Sequence, residues 1–255
     1  MIRVGRCLYA NDGSRTDPQF ENFETILVLM KSHSIYYTLS PYYIKDAKDR
    51  IFENYWQFSK VYDNVPYSVQ RKSRYDNTVI WSHPAESHTY LENNEKKINN
   101  KYLIWRNKGM ATKEAIRYPA TFNGRKNCIG ALPYKIENGQ EIIDTSKYLN
   151  YIESRKEIYV KEYCKLVKHE PLFQELKRKL ASGVNLLIAE VDGPHQETLN
   201  YYKTKYNVND DFIQQHTVLI NQENIRILLN DDKHPFGHGY CLAMALLDKE
   251  EEWNV

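Results

Sequence analysis

Residues 184–191, Val-Asn-Leu-Leu-Ile-Ala-Glu-Val, carry the most decisive local signal in this chain. An apolar run of that length, rich in branched side chains and halted by a turn, reads as a β-strand. It leads straight into Asp192-Gly193-Pro194-His195-Gln196-Glu197, and a helix is expected to begin near Glu197. Polar side chains at a strand end, presented by a tight turn ahead of a helix, commonly build a binding site. Asp192 and His195 are therefore candidate ligand-binding residues. The alternative is a plain turn in which Asp192 serves as a local cap.

The 255 residues can build one sizeable core or two small ones. With 35 basic and 33 acidic residues the net charge is +2, so no global basic field demands nucleic acid, although local basic patches stay open. A chain that is 42% hydrophobic and 27% charged is soluble and globular rather than disordered. Cys7, Cys128, Cys164 and Cys241 form no CxxC pair, which disfavours structural zinc and suits reduced thiols in a cytoplasmic protein. The opening Met-Ile-Arg-Val-Gly-Arg has no apolar leader core, and no window approaches ~18 uninterrupted apolar residues. Secretion and membrane insertion are both disfavoured. Tyrosine is over-represented, 21 copies against 8 Phe, which suits pockets for bases and sugars or simply follows from an AT-rich genome.

Other segments follow from pattern. Residues 2–9 alternate weakly as a first strand, and 25–30 read as a second, buried one. Residues 45–49 form a turn. Arg71, Lys72 and Arg74 stand close together beside Tyr75, either to hold a phosphate or as a solvated loop. His83, Glu86 and His88 invite a metal, but Pro84 and the loop context argue against one, so no metal is expected. Residues 91–101 are polar and read as an exposed connection, 102–109 and 111–118 as short helices, the second stopped by Pro119. Asn138-Gly139 is a turn signal whose polar flanks argue against a regular hairpin. Helical stripes run from residue 146 to 168 and from Pro171 to Gly183, and Asn221 is a plausible cap. Residues 241–247 read as a buried helix, preceded by Gly237-His238-Gly239, whose backbone amides can face a ligand at the helix N-terminus; His238 is a further candidate.

Residues 52–60, Phe-Glu-Asn-Tyr-Trp-Gln-Phe-Ser-Lys, hold the densest set of chemical groups. On a helix, Glu53, Trp56, Gln57 and Lys60 fall at i, i+3, i+4 and i+7 and share one face. Tyr55, Phe58 and Tyr62 then lie opposite, facing the core. A carboxylate, an amide and an amine beside an indole are the parts of a small polar pocket. On spacing alone they are equally the surface of an amphipathic helix.

The segment Glu53-Asn54-Tyr55-Trp56-Gln57-Phe58-Ser59-Lys60 resembles the Glu-His-Tyr-Phe-Gln-x-x-Lys signature of the NADAR (YbiA-like) N-glycosidases. Upstream, Leu39-Ser40-Pro41-Tyr42-Tyr43 resembles that family's Leu-Ser-Asn-Phe-Tyr segment, and residues 44–51 correspond to a short hairpin leading into the helix. The resemblance spans residues 36–62. It implies hydrolysis of the N-glycosidic bond of an ADP-ribosylated or ribosylated base or nucleotide, with Glu53 as catalytic carboxylate and no cofactor. Lys60 would stabilise the departing base or attack an opened sugar. Tyr55 and Trp56 would supply stacking walls, Gln57 would hold a ribose hydroxyl, and Arg71 and Arg74 are candidates for phosphate. Asn54 stands where the family has His, and Pro41 where it has Asn, so loss of hydrolysis with retained binding is an open alternative.

The expected architecture is α+β: a mainly helical single domain, residues 1–255, with short strands, hairpins and insertions; a boundary near residues 91–101 is the fallback. The expected partner is a nucleotide or ADP-ribose-type ligand. Two readings compete with hydrolysis: a binder that sequesters a nucleotide or NAD metabolite, and an enzyme acting on DNA or RNA that carries a modified base, with Arg71 and Arg74 on the backbone.

Overall fold

The computed structural model describes residues 1–29, 34–65, 84–117, 119–120, 124–146 and 148–254. The fold is α+β, and the chain divides into two compact units: Met1–Ile44 with Val160–Val255, and Lys45–Tyr159. Residues 91–101 fall within the second unit. No helix among the described residues is long and apolar enough to cross a membrane.

The first unit is built on a four-stranded sheet in the order Thr217–Leu219, Ile2–Arg6, Leu186–Glu190, Glu24–Leu27. Leu186–Glu190 runs parallel to both neighbours, with Ile188 opposite Val4 on one side and Ile26 on the other. Thr217–Leu219 closes the far edge of Ile2–Arg6 antiparallel. A strand paired on both edges has no solvent-facing backbone, and the five residues of Leu186–Glu190 are all buried. The helix His238–Leu246 packs against both central strands and against the helices Lys161–Val167 and Pro171–Ala181. All nine of its residues are buried, as expected of a helix apolar on every side. Asn221 caps the helix Gln222–Leu229 by accepting from Asn224 N at 2.8 Å.

In the second unit the helix Phe52–Phe58 packs on the helix Asn100–Met110. Phe58 lies 4.6 Å, ring to ring, from Trp105, and a Cβ at Gly109 would come within 2.0 Å of the Phe58 ring. Glycine is what lets the two helices meet. Lys60–Tyr62 pairs antiparallel with Cys128–Ala131, placing Lys60 opposite Ala131.

The structure departs from the expected elements at four places. The helix does not reach residue 60: it ends at Phe58, where Ser59 Oγ donates to Trp56 O at 2.8 Å, and Lys60 opens a strand. Residues 91–101 are not a bare connection. Thr89–Glu92 and Glu95–Ile98 form a hairpin, with Asn93 and Asn94 at φ 51° and 64°, and the Asn100–Met110 helix follows. Two consecutive asparagines in the left-handed region make the tight turn that suits strand twist. Likewise Tyr134–Glu137 and Gln140–Ile143 close a regular hairpin over Asn138 and Gly139 despite polar flanks. Finally, residues 111–117 contain no helix. Asn54 takes up their backbone instead: its Nδ2 donates to Thr112 O at 3.1 Å and Glu114 O at 2.9 Å, while Oδ1 accepts from Ile116 N at 2.7 Å.

Candidate functional site

Glu53 sits in the first turn of Phe52–Phe58 and is 5% exposed. Gln57, one turn on, donates from Nε2 to Glu53 Oε1 at 2.7 Å. Its Oε1 accepts from Lys60 Nζ at 2.8 Å. The amide thus joins carboxylate to ammonium in a continuous row, and each partner fixes which way the amide is turned. The Lys60 ammonium also lies 4.7 Å from the Trp56 ring centroid, within range of a cation–π attraction. Trp56 in turn meets the Tyr159 ring edge-on at 5.1 Å. Although Lys60 has left the helix, it remains beside the face that carries Glu53, Trp56 and Gln57.

Such a row holds an acid and an amine in fixed positions within a largely buried setting. Glu53 can act as an acid, a base or an electrostatic anchor, and Lys60 can meet a developing negative charge.

Tyr55 turns elsewhere, packing on Tyr134 at 5.7 Å between ring centroids, with the Arg50 guanidinium 5.0 Å from its own ring. Asn54 is fully buried and committed to residues 112–116 as described above. His88 is enclosed by aromatic rings, 4.6 Å from Trp105 and 5.1 Å from Tyr102, which is a packing role. Arg71 and Arg74 lie outside the described residues.

Asp192, His195 and His238 belong to the other unit. His238 opens its helix, and its Nε2 bonds to Val28 O at 2.8 Å while Nδ1 lies 3.0 Å from Glu190 Oε2. Glu190 Oε1 accepts from Gly239 N at 3.0 Å. The acceptor at this helix N-terminus is therefore the protein's own: the Glu190 carboxyl group occupies the position expected for a ligand. Burial, and then the charge of Asp192, push the Glu190 carboxyl well above its ordinary range. Gly237 and Gly239 are required by that carboxyl, since a Cβ at either would lie 2.3 Å from Glu190 Oε2 or 2.7 Å from Oε1.

The strand end carries Arg6 beside Asp192 and His195. Arg6 Nη1 donates to Gly193 O at 3.2 Å. Burial lowers Arg6, and Asp192 opposes that effect. His195 is likewise held below its usual value, by burial and then by Arg6. Its Nδ1 lies 3.6 Å from Glu197 Oε2. Sequence reasoning missed Glu190 and Arg6. The signal for Glu190 was available: it is the single charge inside an otherwise apolar strand followed, far along the chain, by a Gly-x-Gly.

A scan of protein-family models, a search of curated proteins and a search of solved structures each match nothing to this chain.

Proposed function

We propose that this protein hydrolyses the N-glycosidic bond of an ADP-ribosylated or ribosylated base or nucleotide, with Glu53 as the catalytic carboxylate. The observation that carries this reading is the Glu53–Gln57–Lys60 row, with a carboxyl 5% exposed and an ammonium one amide away. It is supported by the resemblance of residues 36–62 to the NADAR family.

Cleaving a C1′–N bond sends its electron pair to the base and leaves oxocarbenium character on the sugar. Glu53 stabilises that charge and takes a proton from the water that adds to C1′. Lys60, as an ammonium, faces the negative charge that develops on the departing base. Gln57 keeps the two apart at a set spacing, and Trp56 offers a flat wall to a base.

The test is incubation of wild type and Glu53→Gln with ADP-ribosylated guanosine and with NAD, following released base chromatographically. Base release by wild type, greatly slowed in the variant, supports hydrolysis. Binding by both with release by neither would replace hydrolysis with sequestration.

A further inference from the structure

We propose a divalent-metal site, independent of the glycosidase reading, formed by His195, Glu197 and His216. One ligand atom from each of these side chains lies within 4.8 Å of the other two. Two imidazoles and one carboxylate are the donor set of open zinc sites, in which a fourth position is left for water or substrate. Zinc bonds of about 2.0–2.2 Å place such ligands closer together than this upper bound, so small side-chain rotations complete the shell.

The backbone is arranged to bring the two segments together. Gln196, between the first two ligands, donates from its Nε2 to Ile213 O at 2.9 Å, and its Oε1 accepts from His216 N at 3.4 Å. Arg6 N donates to His216 O at 3.0 Å, tying the same residue to the central sheet. On the other segment, Thr198 Oγ1 donates to His195 O at 2.7 Å.

The turn bearing His216 is itself unusual. Gln214 and Thr217 bond to each other in both directions, at 2.9 and 2.8 Å, closing a two-residue turn over Gln215 and His216. Those two residues have φ of 51° and 56°. Such turns favour asparagine or glycine, and a chain that places histidine there accepts backbone strain. The strain presents an imidazole toward His195 and Glu197.

Two features oppose a cation and are outweighed. Arg6 lies nearby and Glu197 is among the charges acting on it, but its guanidinium is directed to Gly193 O and Asp192 is the largest of those charges. His216 Nδ1 accepts from Gln196 N at 3.2 Å. The ring ligates through Nδ1, exchanging that hydrogen bond for a coordinate bond; ligation through Nε2 would put a proton on Nδ1 against the Gln196 N–H, donor to donor, and so requires the ring to turn.

The experiment is titration of the whole chain with Zn²⁺ alone by calorimetry, and with Co²⁺ by visible absorption. Wild type is expected to take up one equivalent, with a Co²⁺ spectrum lacking thiolate charge transfer. His195→Ala and His216→Ala each weaken binding by ~10-fold or more, as does Glu197→Gln, an exposed position where the fold is not at stake. Cys128→Ser, at the one free cysteine among the described residues that is not buried, leaves binding unchanged. No uptake by wild type, or equal uptake by Glu197→Gln and both histidine variants, overturns the proposal.

Discussion

Glu190 Oε2 lies 3.0 Å from His238 Nδ1, while the other ring nitrogen of His238 is held by Val28 O at 2.8 Å. A backbone carbonyl only accepts, so Nε2 must carry a proton, while Glu190 Oε2 is buried without a hydrogen-bond partner and meets Nδ1 as a close polar contact only. Burial keeps Glu190 protonated at pH values where a solvated carboxylate has lost its proton.

This relationship gives a pH dependence. A carboxyl raised in the folded state contributes stability fully present below its ordinary value of 4.5 and lost as pH rises toward the folded value. Glu190→Gln reproduces the protonated shape without titrating. The variant should gain on wild type as pH rises above about 4.5, by up to about 1.4 kcal/mol per pH unit. Paired thermal unfolding curves between pH 5 and 8 check this; a difference independent of pH would contradict it.

The same carboxyl excludes a side chain at position 237. A methyl group there would meet Glu190 Oε2 at 2.3 Å, an approach that must push apart helix and strand. Gly237→Ala should destabilise by about 1–3 kcal/mol, measured by denaturant unfolding. Combined with Glu190→Ala, which removes the clashing oxygens, the glycine substitution should cost markedly less than it does alone.

Asn54 supplies a third expectation. Its side chain satisfies three backbone groups, at Thr112, Glu114 and Ile116, from a fully buried position. Asn54→Ala leaves them unpaired and should cost about 2–5 kcal/mol of stability. Asn54→His, which installs the residue usual in the resembled family, should not recover that loss, because an imidazole cannot offer two N–H bonds and one acceptor in the amide's geometry. Denaturation midpoints of the three proteins decide it.

Gln57 is expected to act by positioning its neighbours. Gln57→Leu keeps the volume but severs the bonds to Glu53 and Lys60. On the proposed reaction kcat should fall by about 10²-fold with KM little changed and the melting temperature nearly constant. A drop in melting temperature that accounts for the lost activity would assign Gln57 a structural role instead.

Much of this was legible in residue order. The strand at 184–191, the cap at Asn221 and the clustering of Glu53, Trp56, Gln57 and Lys60 all rest on local patterns, and the structure contains them. What local pattern could not supply was partners distant in sequence. Lys60 leaves the helix because Ala131 waits opposite it, and residues 111–117 forgo a helix because Asn54 binds their backbone. The Gly237-His238-Gly239 loop looked open to a ligand because nothing nearby in sequence announces Glu190. The Asn93-Asn94 turn, in contrast, has a local signal: paired asparagines tolerate the left-handed backbone that a tight hairpin requires.

Whether the Glu53 carboxyl acts at the glycosidic carbon is decided by single-turnover base release from an ADP-ribosylated nucleoside. Wild type should release base, and Glu53→Gln, which keeps shape and removes charge, should release it at least ~10²-fold more slowly while binding the same substrate. Equal rates from the two proteins would exclude Glu53 from the chemical step.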